Sequence, residues 1–326
     1  MILIISTHLG DFTTDLVIDW LDYKKVDYKR INGVDLVKED LKIDFNSIEI
    51  STKGELINLS GVKTFWYRRL LPYNYFLSEY GRLSSNIILN IELIRNIQSE
   101  YNRIKDFISI FYREKNWLSQ IGNSTLNKIE VLYNAKLLGL IIPDSIITTS
   151  KNEVIKFRKK YSSIIVKSIS EALGLPIDNE TYISYTYDIS NSDISSLPEN
   201  FYPSLIQENI DKDYELRIFY LSGLFYSMAI FSQNDEQTKT DFRVYNEEKP
   251  NRNVPFILPK NIETKLELLM KKMNLNCGSI DMIKSVDGEY IFLEINPVGQ
   301  FGMVSKPCNY FLEEKVACFL TELDNN

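Results

Sequence analysis

The segment of residues 279–297 constrains the fold more than any other part of the sequence, because it predicts a β-hairpin with a defined register. The dipeptide Asp-Gly at 287–288 is a strong signal for a two-residue turn, and such a turn pairs Val286 with Glu289. Side chains alternate between the two faces of a sheet, so this register decides which residues of the two strands meet.

Three oxygen-bearing side chains converge in this register. Asp281 is expected directly opposite Glu294, with β-carbons about 4.5–5.5 Å apart. Asn296 lies two residues beyond Glu294 and therefore shares its face. The apolar positions of the second strand are expected to point the other way, into a core: Ile291, Leu293 and Ile295.

Two carboxylates that face each other destabilise a sheet unless something neutralises their charge. Carboxylate and amide oxygens are ligands of Mg²⁺, a hard cation that keeps several waters and is completed by substrate phosphates. We therefore expect Asp281, Glu294 and Asn296 to bind Mg²⁺. The alternative is a surface hairpin with scattered acids, since charged strand faces are common.

The composition is that of a globular protein long enough for two or three domains. The chain has 326 residues, of which 44% are hydrophobic and 25% charged, and its net charge is −7. That charge argues against a general nucleic-acid binder. Residues 1–5 are apolar but lack the basic segment and cleavage site of a signal peptide, and no run approaches a membrane span. We expect a cytoplasmic protein.

Cysteine and histidine usage excludes several kinds of site. Cys277, Cys308 and Cys318 are an odd number at irregular spacing, which favours reduced thiols over a disulfide framework or a thiolate zinc site. The single histidine, His8, excludes a multi-histidine metal site and makes a Ser-His-Asp mechanism improbable.

Apolar patterns predict an α/β layer at the beginning of the chain. Residues 1–5 suit a strand buried on both faces, residues 15–21 a helix, and residues 65–69 a strand that ends in two cations. Helical patterns follow over residues 84–120, and residues 123–127 are a polar break. We expect three parts: an N-terminal α/β domain at 1–122, a central subdomain at 123–203 and a C-terminal subdomain at 204–326.

The rest of the chain is predicted to mix helices and strands. Asn127 is expected to cap a helix over residues 129–138. Residues 171–180 are expected to be a loop, and residues 191–203 a polar connection. The remaining predicted elements are strands at 163–167, 205–210, 214–221 and 224–231 and a helix at 262–273.

Two lysines complete a pattern that resembles a known family. Lys128 follows Asn127 in the first turn of its helix, and Lys167 ends an apolar strand. Either alone would be an ordinary solvated lysine. Asn-Lys at 127–128, Ile-Ile-Val-Lys at 164–167, Gln-Glu-Asn-Ile at 207–210 and Phe-Leu-Glu-Ile-Asn-Pro at 292–297 follow the order of an ATP-grasp ligase.

The resemblance implies an ATP-grasp fold of the α/β (α+β) class with an N-terminal α/β pre-ATP-grasp domain, and it implies ATP and Mg²⁺ as cofactors. Lys128 and Lys167 would contact the nucleotide phosphates, and Glu215 the ribose. Magnesium would bind Asp281, Glu294 and Asn296, the residues that the hairpin register also selects. The hinge that binds adenine would be Gln207, Glu208, Asn209 and Ile210.

Two arginines are candidates for contact with the reacting group. Arg217 lies two residues after Glu215 and shares its strand face, where it could hold a phosphate or a carboxylate in bidentate fashion. Arg243 resembles the basic residue that such ligases place at the acyl phosphate. Alternatively, Glu215 and Arg217 simply pair with neighbours across the sheet.

Residues 65–69, 240–243 and 307–315 narrow the resemblance to graspetide synthetases of the microviridin type, specifically the grasp-with-spasm branch. These enzymes activate Asp or Glu side chains of a ribosomal precursor peptide and form ester or amide cross-links. The resemblance implies a precursor peptide with leader and core as partner, and a homodimer. The chain departs from the wider family after Lys167, where Gly174 stands alone.

Three other functions stay open, because fold does not decide substrate. A ligase that adds a free amino acid to a peptide or protein would share the nucleotide site. A small-molecule kinase shares the architecture, and the third alternative is a non-catalytic module that binds nucleotide or leader peptide. Three converging metal ligands argue against the non-catalytic module.

Overall fold

The computed structural model describes residues 1–7, 10–81, 86–170, 174–177, 180–183, 186–233 and 250–326. Two residues singled out from the sequence, His8 and Arg243, lie outside these described residues. Within them, no helix is long and apolar enough to cross a membrane.

The chain begins with a four-stranded parallel sheet in the order β2-β1-β6-β7, next to a small three-stranded antiparallel sheet in the order β3-β4-β5. The elements are β1 (Ile2–Ser6), α1 (Phe12–Tyr23), β2 (Tyr28–Asn32), α2 (Asp35–Lys38), β3 (Leu41–Ile43), β4 (Ile48–Thr52), β5 (Glu55–Asn58), a 3-10 turn (Leu59–Gly61), β6 (Thr64–Tyr67), α3 (Tyr73–Tyr80), α4 (Ile87–Phe111) and β7 (Asn116–Leu118).

Strand β1 is buried on both faces, as its continuous apolar run predicts. Ile2 and Ile4 pack into one hydrophobic core, and Leu3 and Ile5 into another on the opposite face. The helical pattern of residues 84–120 overestimates the helix, because α4 ends at Phe111 and the chain then returns to the sheet as β7. Trp117 of β7 stacks on the Phe65 ring at 4.5 Å, and this tertiary contact has no signature in the local sequence.

The middle of the chain forms a four-stranded antiparallel sheet in the order β12-β9-β13-β8 and a separate two-stranded sheet of β10 and β11. The elements are a 3-10 turn (Ile121–Asn123), α5 (Lys128–Leu137), β8 (Ser145–Ser150), α6 (Lys151–Arg158), β9 (Ile164–Lys167), β10 (Gly174–Ile177), β11 (Glu180–Ile183), β12 (Tyr187–Asp188), α7 (Asn191–Ser196) and β13 (Asn200–Glu208).

Two sequence expectations are wrong in this region. The loop expected at residues 171–180 contains β10 and the start of β11, which pair in antiparallel fashion. The polar connection expected at residues 191–203 contains α7 and the start of β13. Helix α7 forms because Ser190 and Asp193 make a capping box that satisfies backbone N–H groups at its start.

The last part of the chain is a five-stranded antiparallel sheet in the order β16-β15-β14-β17-β18. Both central residues of the turn between β14 and β15, Ser222 and Gly223, have positive φ, as in a two-residue hairpin turn. The elements are β14 (Lys212–Leu221), β15 (Leu224–Phe231), β16 (Arg252–Phe256), α8 (Lys260–Lys272), β17 (Cys277–Ser285), β18 (Tyr290–Asn296), α9 (Gly302–Cys308) and α10 (Leu312–Asn325).

The apolar residues of β14 pack on both faces of this sheet, and their positions show on which face Arg217 lies. Leu216 and Ile218 of β14 pack with α5 and α8 in one core. Phe219, on the opposite face, joins the core shared by β1, α1, α9 and α10. Because side chains alternate along a strand, Arg217 lies on the face of Phe219, away from α5 and α8.

The three-part division of the chain stays a prediction. Strand β13 runs through the boundary expected at residues 203 and 204. Helix α5 contacts β18 and α8, although its sequence position is in the expected central subdomain. Helix α10 packs on α1 and the first sheet, so the two ends of the chain lie together.

Candidate active site

The hairpin of β17 and β18 brings Asp281 opposite Glu294, as the sequence predicts. The predicted turn is nevertheless wrong. Ser285, rather than Val286, pairs with Glu289, so the loop has three residues and ends at Gly288 with φ of +88°. This is the three-residue hairpin with a left-handed glycine.

A β-bulge restores the expected pairing. The register shifts between Asp281 and Met282, so that Met282 faces Phe292, and one extra residue, Leu293, lies between Phe292 and Glu294. The longer turn and the bulge shift the register in opposite directions and cancel at Asp281. The prediction at Asp281 is therefore confirmed, although the turn from which it was derived is not.

The bulge also changes which apolar residues reach the core. Phe292 is fully buried and packs in the same core as Ile295. Ile291 and Ile295 are buried, as expected, but Leu293 at the bulge is only half-buried, so the expectation is wrong for Leu293. Ile291 also lines a surface cavity beside the end of β13.

In the part of the chain that the structure describes, a lysine and an arginine contact Glu294 and Asp281, the two carboxylates of the hairpin. Lys128 Nζ lies 3.4 Å from Glu294 Oε2, and both side chains are about one-third exposed. Asn127 positions Lys128 by capping α5, because its side chain accepts the N–H groups of Ile129 and Glu130. The opposite carboxylate, Asp281, accepts a hydrogen bond from Arg217, its neighbour on β14.

Arg217 is more than a cross-strand partner in an ion pair. Its side chain is 9% exposed, and within the described part of the chain its buried Nε–H has no hydrogen-bond acceptor. A buried donor without a partner costs about 1–3 kcal/mol. An anionic oxygen next to the guanidinium group would remove that cost, so the environment of Arg217 suits a phosphate or a carboxylate.

Glu215 lies on the same strand face as Arg217, but its contacts are internal. It is 7% exposed, pairs with Lys212 and accepts a hydrogen bond from Ser232 Oγ at 3.1 Å. Burial raises the pKa of the Glu215 carboxyl, although Lys212 and Ser232 act in the opposite direction. Its predicted contact with a ribose stays a prediction.

The predicted hinge residues separate into two groups. Gln207 is buried and donates to Ser145 Oγ at 2.8 Å. Glu208, Asn209 and Ile210 line a cavity of about 320 Å³ between the end of β13 and the turn of the β17–β18 hairpin. Its other lining residues include Ile141, Tyr161 and Ile291.

The cavity has a mixed lining, in which Ile141, Ile210 and Ile291 are the apolar residues. The backbone N–H groups of Glu208 and Asn209 donate to the carbonyl oxygens of Asp144 and Ser163. Adenine binding by the hinge stays a prediction. Glu208 is held in place because its Oε1 accepts the N–H of Asp144 at 2.8 Å. At the rim, the Tyr161 hydroxyl donates to Asp144, and this hydrogen bond raises the pKa of Tyr161 to about 12.

Lys167 is placed at the end of β9, where Leu205 of β13 is its cross-strand neighbour. Strand β9 also pairs with the hinge, because Ile165 faces Gln207 and Ile164 faces Glu208. Lys167 and the hinge thus belong to adjacent strands of one sheet. The predicted contact of Lys167 with phosphates stays a prediction.

Comparison with known structures identifies the architecture. The chain superposes with a TM-score of 0.80 on the macrocyclase MdnC from Microcystis aeruginosa MRC, solved with its precursor peptide MdnA, at 27% identity over 99% of both chains. The chain has the ATP-grasp fold. The resemblance to ATP-grasp peptide macrocyclases that the sequence motifs indicate is therefore confirmed.

Two further ATP-grasp ligases are similar in structure. A RiPP-associated ligase from Chryseobacterium gregarium, in complex with ADP and a leader and core peptide, has a TM-score of 0.80 at 23% identity, over 99% of this chain and 96% of that one. The ligase PsnB, complexed with minimal precursor, Mg and ADP, has a TM-score of 0.76 at 14% identity, over 99% and 97%. No family model and no curated protein sequence matches the chain.

The donor set of this ATP-grasp protein fits magnesium. Among the described residues, no group of three His, Cys, Asp or Glu side chains could hold a metal ion. Asp281, Glu294 and Asn296 instead offer two carboxylates and an amide oxygen at the end of one hairpin. Mg²⁺ in proteins is bound by one or two carboxylates, and waters and substrate phosphates complete its coordination. Two carboxylates and one amide oxygen therefore suit a magnesium ion that is bound together with a nucleotide.

The sequence gives no sign of the residues that shape the cavity. Ile141, Tyr161 and Ile291 have no chemical signature, because an apolar wall of a binding site resembles a core residue in sequence.

Proposed function

We propose that this protein is an ATP-dependent, ADP-forming ligase. It activates Asp or Glu side-chain carboxylates of a ribosomal precursor peptide as acyl phosphates and joins them to Ser or Thr as esters or to Lys as amides. The observation that carries the proposal is the meeting of Asp281 and Glu294 with Lys128 and Arg217 at one end of a hairpin. Similarity to ligases solved with precursor or leader peptides supports a peptide substrate.

The first chemical step transfers a phosphoryl group. Asp281, Glu294 and Asn296 would hold Mg²⁺, which would supply positive charge to neutralise the phosphates. Lys128 and Lys167 hold the phosphate oxygens, and Glu208 to Ile210 hold the adenine. An oxygen of the substrate carboxylate then attacks the γ-phosphorus, the bond to the ADP oxygen breaks, and an acyl phosphate forms.

The second step forms the cross-link. A hydroxyl or amine of the same peptide attacks the acyl carbon, the bond from that carbon to the phosphate oxygen breaks, and inorganic phosphate leaves with the electron pair. The nucleophile loses its proton to solvent or to the departing phosphate. Arg217 holds the acyl phosphate, and Arg243 has the same role in the proposal. Position and charge supply the acceleration, so the protein needs no nucleophile of its own.

Mass spectrometry tests this reaction. The full chain is incubated with ATP, Mg²⁺ and a candidate precursor peptide that contains a leader, Thr, Ser or Lys, and Asp or Glu. We expect the peptide to lose one water for each bond formed, with one ADP released per bond. Addition of a residue would support the amino-acid ligase instead, and addition of phosphate the kinase.

A homodimer is expected from the family resemblance, and sedimentation of the full chain at micromolar concentration tests it. We place the reaction in the cytoplasm, because it consumes ATP.

A further inference from the structure

A buried arginine of the first sheet reaches the loop that follows the proposed metal ligands. Arg68 comes directly after β6 and is 1% exposed. Its Nη1 group donates to the carbonyl oxygens of Val298 and Gly299, at 3.1 Å for Gly299. These two residues lie shortly beyond Asn296 at the end of β18. Arg68 therefore connects the N-terminal sheet to the end of the hairpin.

The loop transmits this contact to Asn296. The N–H of Gly299 donates to Asn296 Oδ1 at 3.4 Å. An amide oxygen has two lone pairs, so Asn296 can accept this hydrogen bond and still bind a cation. The position of its side-chain oxygen therefore depends on where Gly299 lies.

Gly299 is held from its other side by β17. Its φ is +58°, and a β-carbon there would lie 3.1 Å from the carbonyl carbon of Gly278. Only glycine combines this backbone conformation with this close approach. The loop is thus confined between the backbone of β17 and the Arg68 guanidinium group.

Arg68 is itself fixed by an enclosed polar network. Asp11 Oδ1 lies 3.6 Å from Arg68 Nη2, and Asp11 Oδ2 accepts hydrogen bonds of 2.6 Å from both Ser6 and Thr14. Thr14 Oγ1 also accepts from Arg68 Nε at 3.3 Å. The guanidinium group lies over the Phe301 ring, with its central carbon 5.6 Å from the ring centroid.

Stability does not by itself require such an arrangement. Apolar residues of similar volume often replace a buried ion pair without loss of stability. What Arg68 provides beyond volume is a rigid planar group: its Nη1 donates to two backbone carbonyls, while Nε and Nη2 are held by Thr14 and Thr13. Because Nη1 is directed at the loop next to Asn296, its position controls that end of the hairpin.

We propose that Arg68, held by Asp11, is a positioning residue for the magnesium site: it holds the loop of Val298 and Gly299 so that the Asn296 oxygen faces the metal. This inference rests on the proposed function, since it assumes that Asn296 binds Mg²⁺. It predicts that damage to the contact weakens magnesium binding while the adenine cavity, at the other end of the hairpin, keeps its affinity.

Calorimetric titration of ADP with and without Mg²⁺ tests the inference independently of turnover. For Arg68→Lys, which keeps the charge but loses the planar guanidinium group, we expect ADP affinity without Mg²⁺ to stay within about twofold of wild type. The gain in affinity on adding Mg²⁺ should fall at least fivefold. Electron paramagnetic resonance of Mn²⁺ in the presence of ADP should show the same loss of bound metal.

Gly299→Ala perturbs the same loop without changing Arg68, and it keeps the test decisive if Arg68→Lys does not fold. It should show the same selective loss of the magnesium-dependent gain. Arg30→Lys is the matched control, because Arg30 also pairs with a carboxylate, Asp15, and donates to a backbone carbonyl, that of Thr7. Its magnesium response should equal that of wild type.

The outcomes separate this inference from the proposed function. A wild-type chain whose ADP affinity does not respond to Mg²⁺ would contradict both. A wild-type response that Arg68→Lys and Gly299→Ala retain in full would overturn the positioning role and leave the proposed function intact. Equal losses of ADP affinity with and without Mg²⁺ would show that Arg68 has a general structural role. That result would also overturn the positioning role.

Discussion

Replacement of Glu294 by glutamine separates catalysis from stability. Among the described residues, Glu294 has two charged neighbours of opposite sign, Lys128 at 3.4 Å and Asp281 directly across the ladder. Glu294→Gln removes an attraction and a repulsion together. A partly exposed ion pair contributes about 0–1 kcal/mol, and like charges across a ladder cost a similar amount. The two changes offset each other, so we expect a change in Tm of no more than about 3 °C.

The effect on activity should be much larger. Loss of a group that only orients a metal ligand costs about 10–100-fold in affinity or activity, so loss of the ligand's charge should reduce kcat for peptide cross-linking at least about 100-fold. The assay is multiple-turnover mass spectrometry of the peptide at saturating ATP and peptide, with Tm measured on the same samples. Glu267→Gln is the control, because it breaks a comparable pair with Lys271 at 2.7 Å on the exposed side of α8. Full activity of Glu294→Gln would refute the metal assignment.

Three other perturbations test separate parts of the structure. Arg217→Lys keeps the charge beside Asp281 but loses the planar guanidinium, so kcat should fall at least about tenfold with unchanged ADP affinity in calorimetry; unchanged kcat would refute the contact with the reacting group. Ile291→Ala removes apolar wall from the hinge cavity and should raise the KM for ATP about five- to tenfold with little change in kcat, whereas a KM that does not change would show that adenine binds elsewhere. The third concerns acid stability. Burial raises the pKa of Asp11, but Arg68, Ser6 and Thr14 outweigh it and leave the pKa below its ordinary value. A carboxyl with a lowered pKa stabilises the fold above its unfolded pKa and loses that contribution as pH falls through its folded pKa. The Tm difference between wild type and Asp11→Asn should therefore be largest near pH 7 and shrink below about pH 4; a difference independent of pH would contradict the ion pair.

Local sequence signals determined many of the elements. The apolar run of β1, the Asn127 cap of α5 and the turn at Ser222 and Gly223 all form as predicted, because each depends on residues close in sequence. Helix α4 was overestimated and α7 was missed. The helical pattern continues beyond Phe111, but the chain returns to the sheet there and Trp117 stacks on Phe65. The polar residues around α7 suggested a connection, whereas Ser190 and Asp193 form a capping box that starts a helix.

The hairpin shows how a local rule can succeed at one residue and fail at another. Asp287 and Gly288 predict a turn of the correct general kind, but Ser285 pairs with Glu289, and the bulge at Leu293 compensates. The bulge places Phe292 in the core, where it is fully buried. Burial of a large aromatic side chain is a tertiary gain, so the twofold alternation of the strand could not predict it.

The sequence by itself determined the chemistry: which carboxylates, amide and cations are available, and in what order along the chain. The hairpin pattern also predicted that Asp281 faces Glu294. Only the tertiary structure decided which cations reach these carboxylates. Lys128 reaches Glu294 because α5 packs on β18, and Arg68 reaches Gly299 because the first sheet packs on the last loop. Contacts between residues so far apart in sequence depend on how whole elements bury their apolar faces against each other, and no local pattern encodes that choice.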